Sequence, residues 1–295
     1  MKNKVILFLK GLLMGICDMI PGVSGGTIAF ITGIYTRLIN AVKSFSPELI
    51  IDFFKYVLKR NEENTIKLKQ DIKKLDLLFL IPLGLGIGTA VIIGSRVITY
   101  LLEHYFAYTM AFFIGLILAS CEIIFKNIKN HHLNNVAFGI IGLLIGILIS
   151  SLIPLQVTDP SLLYVFIGGF LAISAMFLPG ISGAFLLLIL GIYEFMLGVI
   201  KHITDNISYF LTFMIGAVLG MFGISRLISY LFKKDRCKTL YVLLGLVVGS
   251  LSIPVRRVIT SETSWGLYKI LGVIVIFLIG FFIAYTLEKR SKIKP

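Results

Sequence analysis

The chain has 295 residues, 57% of them apolar and 15% charged, with a mean hydropathy of +0.96. Soluble domains carry about 45–50% apolar and about 25% charged residues, so a disordered chain, a secreted disulfide scaffold and an ordinary soluble enzyme are excluded. The net charge of +13 falls mostly between apolar stretches rather than on a basic face with interleaved aromatics. It argues for orientation in a bilayer and against nucleic acid as a partner.

The N-terminus places Lys2, Lys4 and Lys10 around an apolar run, as a signal peptide would, but no small-residue cleavage site follows. The run is expected to be retained as the start of block A (5–42). A cytoplasmic insertion with mixed charge follows (43–76), then apolar blocks B (77–102), C (107–125) and D (136–153). After residue 155 the pattern returns as A′ (162–200), B′ (207–232), C′ (239–255) and D′ (266–287). B, C, D, B′ and D′ are near the roughly 20 residues of a spanning helix, and C′ is shorter. A and A′ are about twice that length, and each is interrupted by Pro-Gly.

The return is a sequence repeat. Pro21-Gly22-Val23-Ser24-Gly25 aligns with Pro179-Gly180-Ile181-Ser182-Gly183 at an offset of 158, which also pairs Gly33-Ile34-Tyr35 with Gly191-Ile192-Tyr193. From block B onward the offset is 130, pairing Gly86 with Gly216 and Ser95-Arg96 with Ser225-Arg226. Each repeat (1–155 and 156–295) then holds a Pro-Gly-broken re-entrant hairpin and three transmembrane helices. The expected fold is an all-α polytopic membrane protein. Because each repeat crosses an odd number of times, the two have inverted topology. With the N-terminus inside, the expected inner segments hold 21 of the 28 Lys and Arg, so both termini are expected to be cytoplasmic. Arg256 and Arg257 are the misfit on the outer side.

Three groups of residues carry chemistry. Proline removes a helix donor and glycine permits unusual backbone, so Pro21, Gly22, Pro179 and Gly180 end half-helices. Ser24, Gly25, Gly26 and Thr27, with Ser182 and Gly183, open the next half-helices, whose free N–H groups suit an anion. A kink for close packing would explain one such turn; two copies on opposed repeats favour a shared site. Arg96 and Arg226 are costly in a bilayer unless they snorkel or bind an anion, and they are expected to serve opposite faces. Two helix N-termini of about +0.5 each and one arginine give about +2, which suits a phosphate monoester better than a carboxylate. Asp18, Glu122 and Glu194 are intramembrane acids that break the repeat symmetry, and they are candidates for coupling or gating. No cofactor or metal site is expected: His104, His131, His132 and His202 lie in predicted loops.

The run Met14 to Tyr35 (MGICDMIPGVSGGTIAFITGIY), with the later Leu178-Pro-Gly-Ile-Ser-Gly183, resembles a bacterial membrane family, the PopT-type undecaprenyl-phosphate (polyprenyl-phosphate) translocases, formerly a domain of unknown function. The resemblance covers essentially the whole chain. It implies a non-enzymatic transporter in the bacterial cytoplasmic (inner) membrane. Such a protein flips undecaprenyl phosphate from the outer to the cytoplasmic leaflet for lipid-carrier recycling in cell-envelope and peptidoglycan synthesis; proton or sodium coupling is an expectation from the intramembrane acids. The family usually has a small residue at the position of Cys17 and an acid after Gly-Ile-Tyr; here Thr36 replaces that acid and only Glu194 keeps it. Two alternatives stay open: a secondary transporter of a small soluble anion, and a membrane enzyme acting on polyprenyl diphosphate.

Overall fold

Block A folds as three helices, α1 (Lys2–Asp18), α2 (Gly25–Ile31) and α3 (Tyr35–Lys43). The computed structural model describes residues 2–18, 24–45, 47–90, 92, 95–152, 157, 159–261 and 265–291. The first Pro-Gly turn, Pro21-Gly22, lies outside the described residues. The interruption between α2 and α3 follows from Gly33, at φ +74°. Gly33 donates to the Phe30 carbonyl and Ile34 to the Ala29 carbonyl, the paired bonds of a helix that ends in a left-handed glycine. Gly191, at φ +70°, ends the equivalent helix of block A′ with the same pair of bonds, to Leu188 and Leu187. The duplicated Gly-Ile-Tyr is therefore a second break in each long block, where the sequence pattern showed only a repeat.

The insertion forms a helical hairpin, α4 (Pro47–Leu58) and α5 (Glu62–Lys74). Asn61 caps α5 by accepting from the Asn64 N–H at 2.8 Å. Block B, expected as one spanning helix, is instead α6 (Leu77–Thr89) and α7 (Ser95–His104). Its counterpart B′ is continuous as α13 (Ile207–Lys234), after α10 (Leu162–Phe177), α11 (Gly183–Ile189) and α12 (Tyr193–Lys201). Blocks C and D are α8 (Phe106–Asn127) and α9 (Leu133–Ser150). Blocks C′ and D′ are α14 (Arg236–Ser250), with its short continuation α15 (Ser252–Thr260), and α16 (Leu267–Ser291).

No strand occurs among the described residues. Among the described residues, five helical stretches are long and apolar enough to span a bilayer: Phe106–Lys126, Leu133–Ser150, Ile207–Lys234, Arg236–Thr260 and Leu267–Thr286. The pair α11 and α12 qualifies only together and is bent by 114°. On α9 and α16, Leu144, Leu148, Val275 and Phe282 face outward. Apolar surface of that extent is stable only against lipid or another protein. The chain is a multi-pass membrane protein.

Four helix pairs build the bundle, and glycines set their closeness. α1 packs on α6, α10 on α13, α8 on α16 and α9 on α14. A Cβ on Gly11 would strike the carbonyl of Leu83, and one on its counterpart Gly169 would strike the carbonyl of Phe213. The spacing between Leu83 and Phe213 is again 130. Likewise Gly86 abuts the Phe8 carbonyl, and Gly216 abuts that of Phe166. Gly115 meets Phe277 where Gly245 meets Gly139, and Gly142 meets Val242 where Gly280 meets Phe112. The sequence offsets thus recur as equivalent contacts. Block C of each half packs on block D of the other, so the two halves interlock.

Candidate functional site

Two broken helices come together at the centre of this arrangement. Ser24 is the N-cap of α2; its hydroxyl accepts from the Gly26 N–H at 3.2 Å and its carbonyl from Thr27 at 2.9 Å. Every residue from Ser24 to Ile31 is buried. The Gly180 N–H, in the second Pro-Gly turn, donates to the Thr27 hydroxyl oxygen at 2.8 Å. Gly26 lies under the Met176 carbonyl, so close that a Cβ there would come to 2.7 Å. Tyr35 donates from its hydroxyl to the Phe177 carbonyl at 2.8 Å. Motifs 158 positions apart in sequence are therefore in direct contact.

The charges around them are not symmetric. Asp18, the last residue of α1, accepts from the Gly25 N–H at 2.6 Å. Lys10, two turns earlier, donates to the Thr32 carbonyl at 2.6 Å. α1 thus sets an acid at the N-terminus of α2 and a cation at its C-terminus, both favourable with the helix dipole. The counterparts in the second repeat are Met176 and Gly168, which carry no charge, and Ser182 makes no capping bond to α11. Among the expected anion-binding groups, the N–H donors of Gly25, Gly26 and Gly180 are occupied by Asp18, Ser24 and Thr27. Pro179 is buried beside them, and Gly183 packs against the Ala172 carbonyl.

The arginines and the remaining acids lie elsewhere. Arg96 is in the first turn of α7, whereas Arg226 is in the C-terminal third of α13. Arg226 is exposed; its guanidinium reaches the Phe222 carbonyl at 3.4 Å and lies 5.5 Å from the Phe222 ring centroid. Glu122 pairs with Lys126 on its own helix. Glu194 is exposed in the first turn of α12. Arg256 and Arg257 sit on α15, the former exposed. Of the sequence candidates, the structure gathers Asp18, Ser24, Gly25, Gly26, Thr27, Pro179 and Gly180. It leaves Arg226, Glu122 and Glu194 outside that group.

Sequence reasoning missed four groups. Lys10 and Tyr35 serve the breaks as described; Tyr35 belonged to the duplicated Gly-Ile-Tyr and could have been singled out from it. Arg37 on α3 pairs with Asp76 at 2.6 Å and lies 4.6 Å from the Phe79 ring centroid. The guanidinium holds the Asp76 carboxyl below its ordinary range and braces a residue at φ +36°. Finally, a cavity of about 480 Å³ opens beside the Gly33 turn, with Lys129 and Arg236 on its lining.

The profile of a family described as VCA0040-like, undecaprenyl phosphate translocase-like, matches residues 14–266. A Vibrio cholerae protein named polyprenyl-phosphate transporter is 38% identical over 249 residues, 84% of this chain and 77% of that protein. A Staphylococcus aureus protein of the same name is 29% identical over 313 aligned positions, 97% of this chain and 96% of that one. No solved structure matches the chain. The relatives are named as transporters, not as enzymes.

Proposed function

The chain belongs to the undecaprenyl phosphate translocase-like family, and from that premise we propose that it carries a polyprenyl phosphate across the bacterial inner membrane. The direction is from the outer to the cytoplasmic leaflet, returning undecaprenyl phosphate for envelope synthesis. The observation that carries this reading is the hydrogen bond from Gly180 to Thr27. It joins the breaks of two repeats inside a bundle whose outer surface is lipid-facing. Irregular backbone at membrane depth is tolerated only within protein or along a polar path, and a phosphate head needs such a path while its tail stays in hydrocarbon.

In this reading the repeats are inverted, and both broken hairpins re-enter rather than cross. The matching contacts made by Gly11 and its counterpart Gly169, and by Gly86 and its counterpart Gly216, support two equivalent halves. The basic inner segments support cytoplasmic termini. Pro21, Gly22, Ser24, Gly25, Gly26, Thr27, Pro179, Gly180, Ser182 and Gly183 form the passage, and Arg96 and Arg226 attract the head on opposite faces. Asp18 couples transport to a proton or sodium ion. Its carboxylate now occupies the Gly25 N–H, and neutralising it weakens that bond and frees a donor for the passing phosphate.

The test is transport of polyprenyl phosphate by the purified protein in vesicles, with and without a pH or sodium gradient. Wild-type protein is expected to move the lipid and to respond to one of the gradients. Arg96→Gln and Arg226→Gln are expected to lower transport at least about tenfold, the loss of one charge-assisted contact. Asp18→Asn is expected to abolish the gradient response. Absence of lipid movement by inserted wild-type protein refutes the function, and full activity of both arginine variants removes their role.

A further inference from the structure

We infer that the cavity beside the Gly33 turn is a docking site for a phosphomonoester head, held by Lys129 and Arg236. The inference rests on the proposed function and gives the head a resting place outside the breaks. The cavity, about 480 Å³, is walled by Phe30 and Tyr35, by the end of α8 at Ile124 and Ile128, and by Phe232 and Leu240. That volume falls in the range of small-molecule sites, roughly 300–1,000 Å³. It exceeds what a bare phosphate fills, and its apolar walls suit the first units of an alkyl chain.

The charges at this end of the bundle are sorted. Lys126 is paired with Glu122, and Lys238 with Asp235 at 3.2 Å. Asp235 also accepts from the Lys238 N–H at 3.0 Å, which holds its carboxyl low. Lys129 and Arg236 are both exposed, and neither has an ion-pair partner among the described residues. Of the described cations without an ion-pair partner at this end, which include Lys233 and Lys234, Lys129 and Arg236 are the two that line the cavity. Their combined charge of about +2 matches the −1.5 to −2 of a phosphate monoester near neutral pH.

The cavity ends where the breaks begin. Tyr35 is buried in its wall, with the Phe30 and Phe232 rings 5.6 and 6.1 Å away, centroid to centroid. The Tyr35 hydroxyl is bonded to the Phe177 carbonyl, two residues before Pro179. A head on Lys129 and Arg236 is thus separated from the paired breaks by one aromatic layer. With the donors of Gly25, Gly26 and Gly180 occupied, the basic cavity offers an incoming or departing phosphate a walled site with two uncompensated positive charges.

The experiment uses the full-length protein in detergent and titrates it calorimetrically with farnesyl phosphate, with farnesol and with inorganic phosphate. Lys129→Gln and Arg236→Gln are each expected to weaken farnesyl phosphate binding about tenfold, and the double variant more. Lys233→Gln/Lys234→Gln removes as much charge from the same end without touching the lining, and is expected to bind as wild type. Farnesol is expected to bind far more weakly, which identifies the head as the recognised group. Unchanged affinity of the double variant overturns the site, as does an equal loss in the Lys233/Lys234 control. Inorganic phosphate binding as tightly as farnesyl phosphate overturns the lipid as its source. If wild type moves lipid in vesicles but the double variant binds unchanged, the site fails and the function stands. If binding depends on both cations but no lipid moves, the function fails and the site stands.

Discussion

Replacing Thr27 by valine isolates the one hydrogen bond that ties the two breaks together. Valine keeps the branched shape and removes the oxygen that accepts from the Gly180 N–H at 2.8 Å. Thr27 is 2% exposed and Gly180 is buried, so water does not replace the lost acceptor. An orphaned buried donor costs about 1–3 kcal/mol, and Thr27→Val is expected to lose about that much. Thr27→Ser keeps an oxygen and gives up only a methyl group, about 1 kcal/mol. Thr32→Val is the local control. Its hydroxyl bonds the Ile28 carbonyl of its own helix, and a loss of about 0.5 kcal/mol or less is expected. The assay is reversible unfolding of the purified protein in mixed micelles, read by circular dichroism. If Thr27→Val and Thr32→Val were equally stable, the contact between the breaks would not hold the fold together.

The glycine contacts predict paired effects. Gly11→Ala and Gly169→Ala each drive a methyl into a facing backbone carbonyl and are expected to cost about 1–3 kcal/mol. Gly84 faces open space, so Gly84→Ala is expected to stabilise by about 0.5–1 kcal/mol through helix propensity. The same unfolding assay reads both, and a harmless Gly11→Ala would contradict the helix pairing. The Arg37–Asp76 pair predicts a pH effect. Because the Asp76 carboxyl is held low, its contribution is present above the unfolded carboxylate value of about 3.9 and is lost as pH falls through the lower folded value. Both side chains are partly exposed, so the stability gap between wild type and Asp76→Asn is expected to stay below about 1 kcal/mol near neutrality. It should close on acidification; a gap that widened toward low pH would reverse the argument.

Composition and periodicity alone determined that the chain is helical and membrane-embedded, because a bilayer admits no other use for such long apolar stretches with satisfied backbones. They also located the repeat, since rare Pro, Arg and Gly residues at constant offsets leave a linear record. The sequence could not show that Gly33 and Gly191 break their helices, because glycine in an apolar run is equally at home at a helix contact, as Gly86 is. Nor could it show that block B holds two helices, α6 and α7, where B′ holds the single α13. Only the tertiary structure decided which polar groups find each other. It set Asp18 on Gly25 and Thr27 under Gly180, turned Arg226 back onto its own helix, and left Lys129 and Arg236 beside a cavity without acids. Hydrogen bonds and ion pairs act over about 3–4 Å, and Thr27 and Gly180, 153 positions apart, reach that range only when the whole bundle has packed.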